Sequence, residues 1–254
     1  VKSILKDELT AIRDKYGDER RTEIQDVEDE IDIEDLIEEE DCCYTLSNAG
    51  YIKRLPVDTY RTQRRGGRGV SGQSLKEEDY VKNLFIASTH DYVLFFTNTG
   101  RVHRKKGYLI PEAGRTARGT NIVNILPLEQ GERVTAMLLT REFTDHEYLM
   151  MVTRGGTVKR IRLDALYTAR KAGIRALSLD DGDELIAVMK TDGKQDIMLA
   201  SADGMAICFN ENDVRVMGRD AAGVRGMMLD AGDYVVGAGI ASRGKQLLSV
   251  TECG

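Results

Sequence analysis

The sequence predicts a mainly β protein, a propeller-like pinwheel of repeated four-stranded blades of about fifty residues, preceded by one α-helix. Three recurring markers carry that prediction. A glycine turn appears as TLSNAGYIKRL (45–55), FTNTGRVHRK (96–105), VTRGGTVKRI (152–161) and ASADGMAICF (200–209), and begins again as SVTECG (249–254). Its glycines, Gly50, Gly100, Gly156, Gly204 and Gly254, are separated by 50, 56, 48 and 50 residues. A second marker, RGV (68–70), RGT (118–120), AGI (172–174) and AGV (222–224), follows at a nearly constant distance. A third, LKEEDYV (75–81), LEQGERV (128–134), LDDGDEL (179–185) and LDAGDYV (229–235), closes each unit. A fixed period with three markers in phase is the mark of a repeat architecture.

Residues 1–24 come first and differ from the rest. Val1, Ile4, Leu5, Leu9, Ile12 and Tyr16 fall at helical spacing and Gly17 is a natural stop, which predicts one amphipathic helix that must dock on another domain. Residues 25–41 form an acidic linker joined to a first strand, since IDIEDLI alternates apolar and acidic residues. The stretch 23–41 holds 12 Asp or Glu and no Lys or Arg. The net charge of −6 therefore belongs to this segment, because the remainder carries 36 basic residues against 30 acidic ones. It could compete with a polyanion for the basic body that follows.

Residues 42–254 hold the repeats. Short apolar runs such as YVLFFT (92–97), YLMMVT (148–153) and DIMLAS (196–201) precede the turns, and the turns supply the glycine a tight hairpin requires. The sequence thus holds four units and the start of a fifth.

Several function classes fall away. No apolar run approaches the roughly 20 residues that span a bilayer, so no membrane span or secretory leader is expected. Cys42, Cys43, Cys208 and Cys253 lack ligand or disulfide spacing, and His90, His103 and His146 lie far apart. No metal site is expected, and the cysteines read as small apolar residues in a reducing cytosol. There is no phosphate-binding glycine loop and no nucleophile–base constellation; the segment is expected to catalyse nothing by itself.

The chemistry lies in the stretch after each turn. Residues 53–70 carry six Lys or Arg against Asp58, residues 101–118 six against Glu112, and residues 154–175 seven against Asp164. The fourth stretch, 204–225, breaks the pattern with three bases and three acids. The expected basic rim comprises Lys53, Arg54, Arg101, Arg104, Lys105, Lys106, Arg115, Arg118, Arg154, Lys159, Arg160, Arg162, Arg170, Lys171 and Arg175. Cations repeated in phase, without base-reading elements, suit the phosphate backbone of a duplex. The densest point is QRRGGRG: Gln63, Arg64, Arg65, Gly66, Gly67, Arg68 and Gly69.

That heptapeptide resembles the box of the DNA gyrase A-subunit family. The surrounding YIKRLP (51–56), FIASTHDYVLFFTNTGRV (85–102), IPEAGRTARG (110–119) and DVRVMGRDAAGVRG (213–226) resemble the same family's C-terminal domain, and KYGDERRTEI (15–24) resembles the last helix of its breakage–reunion domain. The resemblance implies a six-bladed β-pinwheel with strands exchanged between blades. It further implies a duplex wrapped on the basic rim, with residues 63–69 bridging the first and last blades. The wrap gives ATP-dependent negative supercoiling its direction in a cytoplasmic, nucleoid-associated type II topoisomerase. The catalytic tyrosine would lie upstream, and ATP and Mg2+ would be used through the B subunit of an A2B2 assembly. On this reading the chain is a fragment truncated at both ends. Two alternatives stand: the corresponding domain of topoisomerase IV, against which the intact box argues, and a propeller scaffold that binds proteins.

Overall fold

The computed structural model describes residues 2–18, 33–59, 73, 79–167, 173–242, 246, 248 and 250. The chain divides into two compact units, residues 1–37 and 38–254. The first contains helix α1 (Lys2–Tyr16), whose Ile4, Leu5, Leu9, Ile12 and Tyr16 are exposed. The alternating stretch IDIEDLI is not a strand where it is described. Ile33–Leu36 forms a single 3-10 turn, closed by the Ile37 N–H on the Glu34 carbonyl. The described residues of the stretch join none of the sheets. The first strand begins instead at Asp41.

The second unit holds fifteen strands among its described residues. They are β1 (Asp41–Ser47), β2 (Tyr51–Pro56), β3 (Val81–Ser88), β4 (Tyr92–Thr97), β5 (Arg101–Lys106), β6 (Thr120–Asn121), β7 (Val134–Thr140), β8 (Tyr148–Thr153), β9 (Thr157–Arg162), β10 (Ile174–Arg175), β11 (Leu185–Thr191), β12 (Asp196–Ser201), β13 (Ala206–Asn210), β14 (Val224–Arg225) and β15 (Val235–Ala241). They form four antiparallel sheets, ordered β3-β1-β2-β6, β10-β5-β4-β7, β11-β8-β9-β14 and β13-β12-β15. The first three have the four strands the sequence predicts. The fourth has three among the described residues.

Each recurring turn closes a hairpin: β1–β2, β4–β5, β8–β9 and β12–β13. The turn glycines adopt φ values of 82°, 76°, 83° and 85° at Gly50, Gly100, Gly156 and Gly204, in the left-handed region that only glycine enters freely. The third marker supplies the cap of that turn. Asp183 Oδ1 accepts the Gly155 and Glu184 N–H groups, and Asp79 and Asp233 do the same in the first and fourth units.

The second marker is the exchanged strand. β6 pairs with β2, β10 with β5 and β14 with β9, so the second, third and fourth units each lend two residues to the sheet before them. Close approach explains its glycine. A Cβ on Gly119 would lie 2.5 Å from the Ile52 carbonyl oxygen, and one on Gly223 2.6 Å from that of Val158. The apolar cores lie between successive sheets: Tyr44 and Leu46 with Phe95 and Met137, Leu94 and Phe96 with Leu149 and Leu163, Met150 and Val152 with Ile197 and Leu199. A blade buries its faces only against its neighbours, and that is why the period is legible in sequence.

Candidate nucleic-acid interface

The heptapeptide 63–69, Arg170 and Lys171 lie outside the described residues. Gln73, which follows the heptapeptide, donates from Nε2 to the Arg118 carbonyl at 2.7 Å, beside the strand exchanged into the first sheet.

The remaining expected rim residues separate into three environments. Arg115, Arg118, Arg154, Arg162 and Arg175 are exposed and Lys105 is half-buried. Arg118 stacks on Tyr51, its Cζ 5.1 Å from the ring centre, and Arg154 on Tyr234 at 3.9 Å. Such a face orients a guanidinium without cancelling its charge, though Arg154 Nη1 also lies 3.5 Å from Glu184 Oε1. Arg162 holds Asp164 with Nε and Nη2, and Arg101 pairs with Glu129. Lys106 donates to the His90 carbonyl at 3.0 Å.

Lys53 and Lys159 are corrections to the expected rim. Both are buried, at 1% and 0% exposure, beyond the reach of a duplex on the surface. Each stands three residues after its turn glycine and reaches into the next unit, Lys159 also bonding Ala176 of its own. Lys53 Nζ donates to the carbonyls of Gly114, Arg115 and Ala117 at 3.0, 2.7 and 3.1 Å. Lys159 Nζ donates to Ala176, Arg219 and Ala221 at 2.7, 2.5 and 2.8 Å. An ammonium has three donors and here all three are used. These lysines clasp the loop that brings in the exchanged strand. Burial lowers both groups, Lys159 to about 8.

His103 occupies the same position in the second unit. It is buried, and neither ring nitrogen has a hydrogen-bond partner among the described residues. Its Nε2 lies 3.9 Å from Glu132 Oε1. Glu132 stands where the other units have the turn-capping aspartate, but its carboxylate turns inward. It accepts the Thr97 and Thr99 hydroxyls and the Glu129 N–H. Burial pushes the Glu132 carboxyl up, but these bonds and Arg101 outweigh it and hold the group below the usual range. Burial lowers the imidazole, against the opposing pull of Glu132.

In the first three hairpins the next residue is an arginine at the junction between sheets, and two of these three are corrections as well. Arg160 is buried, its Nε 3.3 Å from the buried Glu211 carboxylate, with Nη1 donating to the Glu211 carbonyl and Asn212 Oδ1. Arg54 donates to the Ile110 carbonyl and pairs with Glu40 and Glu112 at 3.4 and 3.5 Å. Both charges are used inside the fold. Arg160 also lies over the Tyr148 ring, its Cζ 4.0 Å from the centre. Arg104 differs in meeting rings without a carboxylate partner among the described residues: its Cζ lies 4.9, 5.5 and 5.0 Å from the ring centres of Tyr92, Phe143 and Tyr167.

Charge counted along the sequence treats every cation as available and misses Arg133 and Arg141. Both are exposed, paired with Glu184 and Glu39. A signal for the clasps was present: aligned on the turn glycine, the hairpins read Lys53, His103, Lys159 and Ile207 at a position whose neighbours are Ile52, Val102, Val158 and Ala206. A cation next to an inward apolar residue, repeated in register, reads as structural once the exchanged strand is known.

A pinwheel of exchanged-strand hairpins carrying surface arginines defines a class, and the chain belongs to it: the family described as DNA gyrase C-terminal domain, beta-propeller, whose repeats match residues 44–88, 91–141, 147–192 and 195–242. Within that class the chain is similar to the DNA gyrase A subunit of Clostridium acetobutylicum, 49% identical over 89% of this chain and 27% of the relative. It is also similar to that of Salmonella typhimurium, 47% identical over 99% of this chain and 29% of the relative. The chain thus spans less than a third of the length of these relatives. Among solved structures, the C-terminal domain of DNA topoisomerase IV superimposes with a TM-score of 0.72 at 28% identity, over 81% of this chain and 62% of that one. The DNA gyrase A C-terminal domain superimposes with a TM-score of 0.60 at 28% identity, over 78% and 64%.

Proposed function

We propose that this chain binds double-stranded DNA through its backbone and wraps it with one handedness, as the C-terminal module of a DNA gyrase A subunit. The observation that carries the reading is a set of exposed arginines, Arg115, Arg118, Arg154, Arg162 and Arg175, on a pinwheel of the gyrase C-terminal family. Arginine donates two parallel bonds to phosphate oxygens, and nothing in the set reads base edges. Bending 20–30 bp by 40–90° costs on the order of 1–6 kcal/mol, which a row of such contacts offsets.

The heptapeptide 63–69 is assigned to holding the wrapped duplex. In the intact enzyme the wrap gives negative supercoiling its direction. Strand cleavage belongs to an upstream domain, and ATP and Mg2+ to a B subunit in an A2B2 assembly in the bacterial cytoplasm. The intact heptapeptide and the higher identity to gyrase relatives favour this reading over the topoisomerase IV module.

The test is a ligation-topology assay. Nicked plasmid is sealed by ligase with and without the protein, and with an Arg64/Arg65/Arg68→Ala variant; the topoisomers are then resolved. A one-directional linking-number shift that the variant loses is the expected result. Retention of DNA without any shift would reduce the reading to binding alone. No retention at low salt would overturn it in favour of a protein-binding scaffold.

A further inference from the structure

The three junction arginines stand at equivalent positions but are compensated in two ways. Glu211 reaches Arg160 because it begins the 3-10 turn that follows β13, seven residues after the turn glycine. The second unit has Gly107 at that place. A Cβ there would run into the Tyr44 hydroxyl and come within 2.8 Å of the Ser88 carbonyl oxygen, so no side chain fits. Glu40 and Glu112 reach Arg54 instead. The third unit has Leu163, which is buried in the core between the second and third sheets and offers no charge. Arg104 therefore meets no carboxylate among the described residues.

Aromatic rings take its place. Phe143 stands edge-on to both Tyr92 and Tyr167, with ring centres 5.3 and 5.5 Å apart, and the guanidinium lies against all three. Arg104 is half-buried; its Nη1 is sealed from solvent without an acceptor among the described residues, so a surface ligand would meet the other N–H groups of the guanidinium. Ring faces attract a cation but accept no proton and cancel no charge, so the arginine keeps its full charge with its orientation set. Lys106 adds a second cation over Tyr92, 4.0 Å from the ring centre. Lys105 lies between the two in sequence and is without an ion pair among the described residues.

We propose that Arg104, held on the wall of Tyr92, Phe143 and Tyr167, is a phosphodiester-binding residue, and that the three rings are its positioning residues. The ligand atom is a non-bridging phosphate oxygen of a duplex backbone, so the inference rests on the DNA-binding reading above. The rings take the place that ion-pairing carboxylates hold at the other junctions, with Glu142, Asp164 and Arg141 lining the same cleft. Tyr167 is exposed, and its loss removes orientation without removing charge.

The experiment measures affinity for a duplex of mixed sequence by fluorescence anisotropy at several salt concentrations. The proteins are the wild type, Arg104→Gln, Arg104→Lys, Tyr167→Leu and Tyr167→Phe, each checked for folding by circular dichroism. Arg104→Gln is expected to lose about tenfold in affinity and to lower the slope of log K against log salt by about 0.9, the value of one phosphate contact. Arg104→Lys keeps the slope but not the full affinity. Tyr167→Leu loses about threefold with the slope unchanged, and Tyr167→Phe binds as the wild type. A slope and affinity unchanged in Arg104→Gln would overturn the proposal while leaving DNA binding intact; a wild type that does not bind would overturn the parent reading itself. Should Arg104→Gln fail to fold, the Lys and Tyr167 variants decide: a threefold loss that Phe restores supports the proposal, and equal affinity in all of them sinks it.

Discussion

The first and third hairpins bury a lysine where the second buries a histidine. Lys53 fastens the next unit with three bonds to carbonyl oxygens and Lys159 does so with two, its third going to Ala176 of its own unit; the arginine beside each is paired with a carboxylate. His103 makes none of these bonds, and Arg104 rests on aromatic rings. The same backbone is thus closed by charge–dipole bonding at two junctions and by packing at the third. The difference teaches that a repeated cation in a repeat protein is not a repeated function. At the two ion-paired junctions four of the expected surface cations are structural, and at the third, where no carboxylate pairs with it among the described residues, the arginine stays available.

The largest effect that would sharpen the contrast comes from Glu211. It is fully buried and also accepts the Thr191 hydroxyl and the Gln195 N–H. Removing it leaves a buried guanidinium without its counter-charge, a change that costs about 3–5 kcal/mol. Glu211→Ala is therefore expected to lower the urea midpoint strongly. Leu163→Ala, in the equivalent place at the second junction, should cost an ordinary core cavity of about 2–5 kcal/mol but leave Arg104 undisturbed. DNA affinity is expected to be unchanged in both variants at temperatures where they are folded, since neither removes Arg104 or its rings.

Next comes the clasp. Lys159→Met keeps the aliphatic stem but removes three charge-assisted bonds and leaves three carbonyls facing a thioether, for about 3 kcal/mol. His103→Leu removes no hydrogen bond and is expected to cost under about 1 kcal/mol. Equal losses in the two variants, measured by chemical denaturation, would break the comparison.

Much of this was legible in sequence, and for a physical reason. The turn glycines, the glycine of the exchanged strand and the capping aspartate are backbone requirements, and one residue type meets each of them. The period therefore survives in the text. The identity of the cations' partners does not: whether Lys53 meets water, phosphate or a carbonyl depends on which strand is exchanged past it, and spacing holds no record of that. Arg160 became structural through Glu211, fifty-one residues away, and Arg104 stayed free of ion pairs among the described residues through Leu163 in another unit. IDIEDLI shows the reverse error. Its alternation is that of a strand, but its described residues enter no ladder, and the local 3-10 turn Ile33–Leu36 prevails.

The smallest predicted effect is a pH dependence confined to the histidine junction. The groups facing His103 are Glu132, which raises its proton affinity, and Arg101 and Lys105, which lower it together with burial; burial is the largest influence and the net direction is downward from 6.5. In the unfolded chain the imidazole takes up its proton near pH 6.5, before the folded protein does. As pH falls below 6.5 the unfolded state binds more protons than the folded one, so stability falls with pH across that window and is retained above it. Glu132, held below the usual carboxylate range, stays ionised through the window and contributes nothing to the slope there. His103→Leu should thus flatten the stability profile between about pH 7 and pH 5 relative to the wild type, as followed by urea denaturation at fixed ionic strength. A histidine that instead gained a bond on protonation, as the lysines do at their junctions, would make the wild type more stable than the leucine variant on the acid side. The sign of that difference therefore decides whether the second junction is a packed contact or a clasp waiting for a proton.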